Sequence, residues 1–141
     1  MTFFCLSIIV HHMKIEELKG VVRRAKLDFV NGRAGIHTEG PEKYVTEQIH
    51  EYQQKVDTTE KEIDKLLGEV ICEVGEEEAK YAVSAVSTIC EILRGFLHKI
   101  GNQCQNENGV WKIDFTPSKE DTAKFQYTVA SLERNYPTPK L

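Results

Sequence analysis

At 141 residues the chain has room for one domain with a real core, and not comfortably for two. Its 40% hydrophobic and 28% charged residues are those of an ordinary globular protein, which excludes a disordered or collagen-like chain. A formal net charge of −4 argues against a dedicated nucleic-acid binder, and no stretch approaches the ~20 apolar residues of a membrane span.

The opening segment is apolar from Thr2 to Val10 and is followed by His11-His12. It has the length of a signal-peptide core but lacks a basic start and a small-x-small cleavage site. Met13-Lys14-Ile15-Glu16-Glu17 looks like a start of its own, so residues 1–12 are expected to be a non-native or flexible extension. The working domain is then 13–136, with 137–141 as a tail. Four cysteines, at 5, 72, 90 and 104, form no C-x-x-C pair, and two fall inside helical periodicity. That spacing points to reduced thiols and a cytoplasmic protein, with a Cys72–Cys90 bridge as the alternative.

Residues 14–31 are predicted to form a first helix, with Ile15, Leu18, Val22, Ala25 and Phe29 on one face. Lys19, Arg23, Arg24 and Lys26 are expected to decorate its outer positions. Gly32, Gly35 and Gly40 mark a loop from 31 to 40. Pro41-Glu42 opens a second helix, proline suiting the first turn and glutamate the positive dipole end.

From there an apolar repeat runs for two helices. It reads Val45, Ile49, Tyr52, Val56, Thr59, Ile63, Leu66 and Val70, in steps of four and three. It is broken at Gly75 and resumes as Ala79, Ala82, Val86, Ile89, Leu93, Phe96 and Ile100. Such steps are the seam of helices packed lengthwise. The second helix therefore spans 42–74, with a soft spot at Asp57-Thr58-Thr59, where Thr59 and Glu62 also fit a capping box. The third spans 76–100. It is apolar over most of its circumference and must be covered on several sides.

Asn108-Gly109 signals a two-residue hairpin turn. Val110–Phe115 alternates, with Trp111, Ile113 and Phe115 on one face, but its partner at 103–107 is polar. Ser118 with Asp121 caps a last helix at about 119–134, whose Phe125, Val129 and Leu132 point inward. The expected fold is mainly α: a helical bundle built on a long antiparallel hairpin, with a small β-hairpin in the C-terminal third.

Little in this pattern carries chemistry. Glu47-x-x-His50 has the spacing that di-iron carboxylate bundles use, but no second such motif follows, and neither residue lies on the apolar seam. The run Glu69, Glu73, Glu76, Glu77 resembles the magnesium-holding carboxylates of helical pyrophosphohydrolases. The following helix answers it only with Glu91, and a plain charge complement to a helix N-terminus is the favoured reading. No nucleophile turn, phosphate loop, H-E-x-x-H or calcium loop is present. No catalytic residue, metal or cofactor is assigned.

Two surfaces remain. Lys19, Arg23, Arg24 and Lys26 are the candidate nucleic-acid contacts, against a plain solvated face that pairs with the acidic second helix. Trp111, Ile113 and Phe115 are the candidate protein contacts, on a strand able to accept another strand, against docking onto the third helix. The expected function is a non-enzymatic interaction protein, self-associating or binding a partner protein as an adaptor, assembly factor or inhibitor. The alternatives are a nucleic-acid-associated regulator using the first helix and a metal-dependent enzyme with helical carboxylate ligands.

Overall fold

A computed structural model describes the backbone of residues 2–32 and 34–138 and the side chains of 13–32 and 34–138. The side chains of Cys5, His11 and His12, together with Arg33 and Pro139, lie outside the described residues.

Four helices form an up-down-up-down bundle: α1 (Thr2–Phe29), α2 (Glu42–Val74), α3 (Glu76–Gln103) and α4 (Lys119–Asn135). Each packs on its sequence neighbour, and α4 closes the ring against α1, so α1 faces α3 and α2 faces α4 across the core. Ion pairs record the antiparallel registers. Lys14 meets Glu69 at 3.3 Å and Asp28 meets Lys55 at 3.9 Å between α1 and α2. Arg94 meets Glu60 at 3.4 Å between α3 and α2, and Lys99 meets Asp121 at 2.9 Å between α3 and α4. Exposed pairs of this kind each add about 0–1 kcal/mol, so they mark register more than they hold the fold.

The hold comes from the seam. On α2, Val45, Tyr52, Val56, Ile63, Leu66 and Val70 are buried, and the helix runs unbroken through Thr59. Continuity of the apolar phase outweighs the weak propensity of Asp57-Thr58-Thr59, because packing supplies most helical stability in a protein. On α3 every predicted seam position is buried. Its wide apolar arc has a specific cause: α2 covers one flank, α4 the other, and the sheet covers its C-terminal end, where Phe96 packs on Phe115 with ring centroids 5.5 Å apart. Lys80, Ser84, Ser87, Glu91 and Arg94 keep one stripe of α3 in water.

Gly75 alone joins α2 to α3. Its φ of 88° suits glycine, and its N–H bonds the Ile71 carbonyl to close α2. Cys72 and Cys90 are both free. Because the chain reverses at Gly75, Cys72 lies beside position 78, some twelve residues or about 18 Å along α3 from Cys90. That is far beyond the reach of a disulfide. Burial pushes the Cys90 thiol pKa up to about 11.

Both other connections lie at the opposite end of the bundle and carry strands. β1 (Ile36–Gly40), β2 (Gln105–Glu107) and β3 (Val110–Phe115) form an antiparallel sheet in the order β1-β3-β2. The predicted hairpin β2–β3 is present, turning at Asn108 (φ 53°) and Gly109 (φ 81°). β1 corrects the sequence reading, which gives a loop there. Only Ile36 is apolar in Ile36-His-Thr-Glu-Gly40, so no alternation announces the strand; pairing with β3 creates it. The first helix also differs from its predicted bounds. It extends back to Thr2 and ends at Phe29, where Val30 and Asn31 both bond the Lys26 carbonyl.

Gly35 allows β1 to approach β3. A Cβ there would lie 1.9 Å from the Phe115 carbonyl oxygen, and φ is +106°. Gly35→Ala is therefore expected to lower stability by about 1–3 kcal/mol, read by denaturant unfolding, whereas an unchanged midpoint would contradict this junction.

Candidate functional site

The cationic residues of α1 do not form one surface. Lys19, predicted to be outside, is 1% exposed. Its helical position faces α4, and its Nζ donates to Glu16 Oε1 (2.7 Å), the Tyr136 carbonyl (2.8 Å) and Thr138 Oγ1 (3.0 Å). All three ammonium donors are thereby engaged, and none is left for a phosphate. Arg23 is paired with Glu133 of α4. Arg24 is exposed and Lys26 half-buried, and neither has a salt bridge among the described residues.

The residues that engage Lys19 form a knot. Tyr136 ends α4; its hydroxyl donates to the Glu78 carbonyl (2.6 Å) and accepts from the Ala82 N–H (3.1 Å), both on α3. Burial raises the Tyr136 pKa, partly offset by its bond from Ala82. Thus α1, α3 and α4 meet at one corner through one cation and one phenol.

Trp111, Ile113 and Phe115 lie on the inner face of β3. Ile113 and Phe115 are each 1% exposed, and Trp111 is half-buried against the core. β3 is the central strand, with β1 and β2 bonded on its two edges. The three side chains thus cover the end of the bundle.

The outer face of the sheet holds a constellation that sequence reasoning missed. His37 of β1 faces Asp114 of β3 across the register, and Nδ1 bonds that carboxylate. Nε2 lies 3.3 Å from the Ala34 carbonyl and 3.5 Å from Thr116 Oγ1. Carboxylate, imidazole and hydroxyl in sequence have the order of a nucleophilic triad. Here Nε2 lies nearer the Ala34 carbonyl than Thr116 Oγ1, and 3.5 Å is at the outer limit of a hydrogen bond, so the geometry does not aim Thr116 as a nucleophile. The ring clasps β1 to β3. No signal short of recognising β1 brings His37 to Asp114.

Among the described residues no three His, Cys, Asp or Glu side chains converge as metal ligands. Glu47 and His50 are exposed on α2, as are Glu76 and Glu77 at the start of α3.

The continuous recess of the molecule runs between α1 and α2. Two adjoining hollows of about 480 and about 440 Å³ share Val21, Arg24 and Glu62. Gly20, Val21, Ala25 and Leu66 contribute its apolar lining. Along α1 the charged residues are Lys14, Glu17, Arg24 and Asp28; along α2 they are Glu51, Lys55, Glu62, Lys65 and Glu69. Both signs alternate on both walls. Met13 and Leu27, next in sequence to the lining residues Lys14 and Asp28, are exposed and line neither hollow.

Comparison with known proteins finds no matching family model, curated protein or solved structure.

Replacing Lys19 tests the knot. Lys19→Met keeps the stem and removes the donors, and is expected to destabilise by about 2–3 kcal/mol in denaturant unfolding. The pair also has a pH signature. Burial pushes the Glu16 carboxyl up, but bonds from Lys19 and Thr138 outweigh this and hold it below its usual 4.5. Its stabilisation is therefore complete above about pH 4.5 and is lost as pH falls through the lower folded value. In Lys19→Met that acid limb should shrink; an unchanged limb would remove Glu16 from the account.

Tyr52 gives the opposite sign. Among the described residues its hydroxyl is buried without a partner, its ring packs edge-on to Phe29, and burial raises its pKa. Tyr52→Phe removes only the unsatisfied group and should raise stability by about 1 kcal/mol, visible as a higher Tm.

Proposed function

We propose that the protein acts by binding another polypeptide through the α1/α2 face and not by catalysis, as an adaptor, assembly factor or inhibitor would. One observation carries this reading: the long recess with an apolar floor and walls of alternating charge. A small-molecule site is more enclosed and mostly apolar, with few polar groups. A nucleic-acid track needs one sign of charge along its length, because the phosphate backbone dominates affinity. Glu17, Asp28, Glu51, Glu62 and Glu69 interrupt any such track here. A polypeptide carrying both signs and a few apolar anchors suits these walls, since charge complementarity sets register while buried apolar side chains supply affinity.

Of the four candidate residues of the nucleic-acid alternative, the exposed Arg24 and the half-buried Lys26 are free of ion pairs among the described residues. For the metal-enzyme alternative, no three potential ligands converge among the described residues.

The test is photo-crosslinking in the native host, with a photoreactive residue replacing Leu27 in one protein and Tyr127 in another. Both side chains are exposed, at 64% and 67%, and they lie on different helices. Discrete protein adducts from position 27 and not from 127 are the expected result. Equal adduct patterns from both positions, or none from 27, would overturn the reading.

A further inference from the structure

The outward face of α1 has a second pattern, distinct from its core stripe. Met13, Glu17, Gly20, Arg24 and Leu27 follow one another in steps of four, three, four and three residues. On a helix such steps share one face, here the side away from Ile15, Leu18, Val22, Ala25 and Phe29. Met13 is 57% and Leu27 64% exposed. Glu17 and Arg24 are also exposed, and Gly20 lies between them, midway from Met13 to Leu27.

Each member is hard to explain within one chain. Two large apolar side chains stand in water on a helix whose opposite face already supplies the core. Gly20 weakens a helix interior by about 1 kcal/mol relative to alanine. The fold gives no packing reason for it, since a Cβ there would meet nothing within 4 Å. Arg24 carries no salt bridge among the described residues, and Glu17 pairs only with the exposed Lys14 at 3.3 Å.

The stripe is its own complement when reversed. About a two-fold axis near Gly20, Met13 of one chain meets Leu27 of the other, and Glu17 meets Arg24, twice over. The two glycines fall at the crossing, where the absence of side chains lets backbones approach closely. Parallel pairing would instead set Glu17 against Glu17 and Arg24 against Arg24, so charge selects the antiparallel arrangement. A self-complementary patch is what a two-fold, isologous dimer requires.

Resting on the reading of the α1/α2 face as a protein-binding surface, we propose that its occupant is a second copy of this chain, with the two α1 helices antiparallel and crossing at Gly20. The contact extends from Met13 to Leu27, about 21 Å at 1.5 Å per residue. It is short for a dimer interface, so association is expected to depend on concentration and salt.

Sedimentation equilibrium of the full chain, from about 1 µM to about 1 mM, reads this directly, with each tenfold change in Kd worth about 1.4 kcal/mol. The wild type should pass from monomer to dimer within that range. Glu17→Arg or Arg24→Glu alone should each raise Kd at least about tenfold, and the double reversal should restore it, because the exchanged charges still face each other. Gly20→Leu should abolish the dimer while preserving or raising Tm, since leucine is the better helix former and the position is open. A wild type that stays monomeric at the highest concentration overturns the pairing. So does a dimer indifferent to Gly20→Leu, or a double reversal that fails to rescue. If a monomeric wild type still yields discrete foreign adducts at position 27, the protein-binding reading stands and only the self-pairing falls.

Discussion

A single buried ammonium group constrains this fold more than any other polar feature. Lys19 is fully enclosed, and an enclosed charge is tolerated only where every donor finds an acceptor. Its three partners, Glu16, Tyr136 and Thr138, come from its own helix and from the end of α4 onward. The requirement therefore reaches across more than a hundred residues of sequence and fixes where α4 must stop. Tyr136 passes the constraint on, since its hydroxyl bridges the Ala82 N–H and the Glu78 carbonyl, the two ends of a helical i→i−4 position in α3. A hydrophobic residue in place of Lys19 would fill the same space but leave the Glu16 carboxylate and the Tyr136 carbonyl without their donor.

The opposite end of the bundle is fixed by backbone pairing. β1 belongs to the α1–α2 connection, and β3 to the α3–α4 connection. Their ladder, from Ile36 opposite Phe115 to Gly40 opposite Trp111, ties the two helical hairpins together. Gly75 joins the same hairpins at the far end with one residue. The α1/α2 recess thus lies between two fixed ends, and its walls are long helices instead of loops. A surface held in this way would lose little freedom if a partner bound it, which favours affinity from a modest contact.

The parts of the structure legible in the sequence are those in which one residue's role is set by its neighbours a turn away. The seams of α2 and α3, the Ser118 cap and the Asn108-Gly109 turn are local patterns, and each lies where its pattern places it. The misses are all long-range. Ile36–Gly40 lacks alternation and becomes a strand because β3 offers an edge. Lys19 has the residue type of a surface position and becomes buried because α4 ends beside it. His37 meets Asp114 only through the register of a strand with no signal of its own. Charge predicts exposure only while no partner is available to satisfy it, and single-chain periodicity contains no list of partners.

The outer stripe of α1 lies between these two cases. Its spacing is local and visible, yet it is masked by the stronger inner stripe on the same helix, whose residues are purely apolar. In a ring of four, each helix turns one face to its two neighbours and the core and leaves another to solvent. Selection for solubility alone would fill that outer face with charged, helix-favouring residues, as it does along much of α3, where Lys80, Glu91 and Arg94 alternate with serines. On α1 the same face instead holds a glycine with opposite charges three residues before and four after it, and an apolar residue seven away on each side. Solvent gives no reason for symmetry about a glycine. The proposed two-fold contact would supply one, because it sets position 17 of one chain against position 24 of the other.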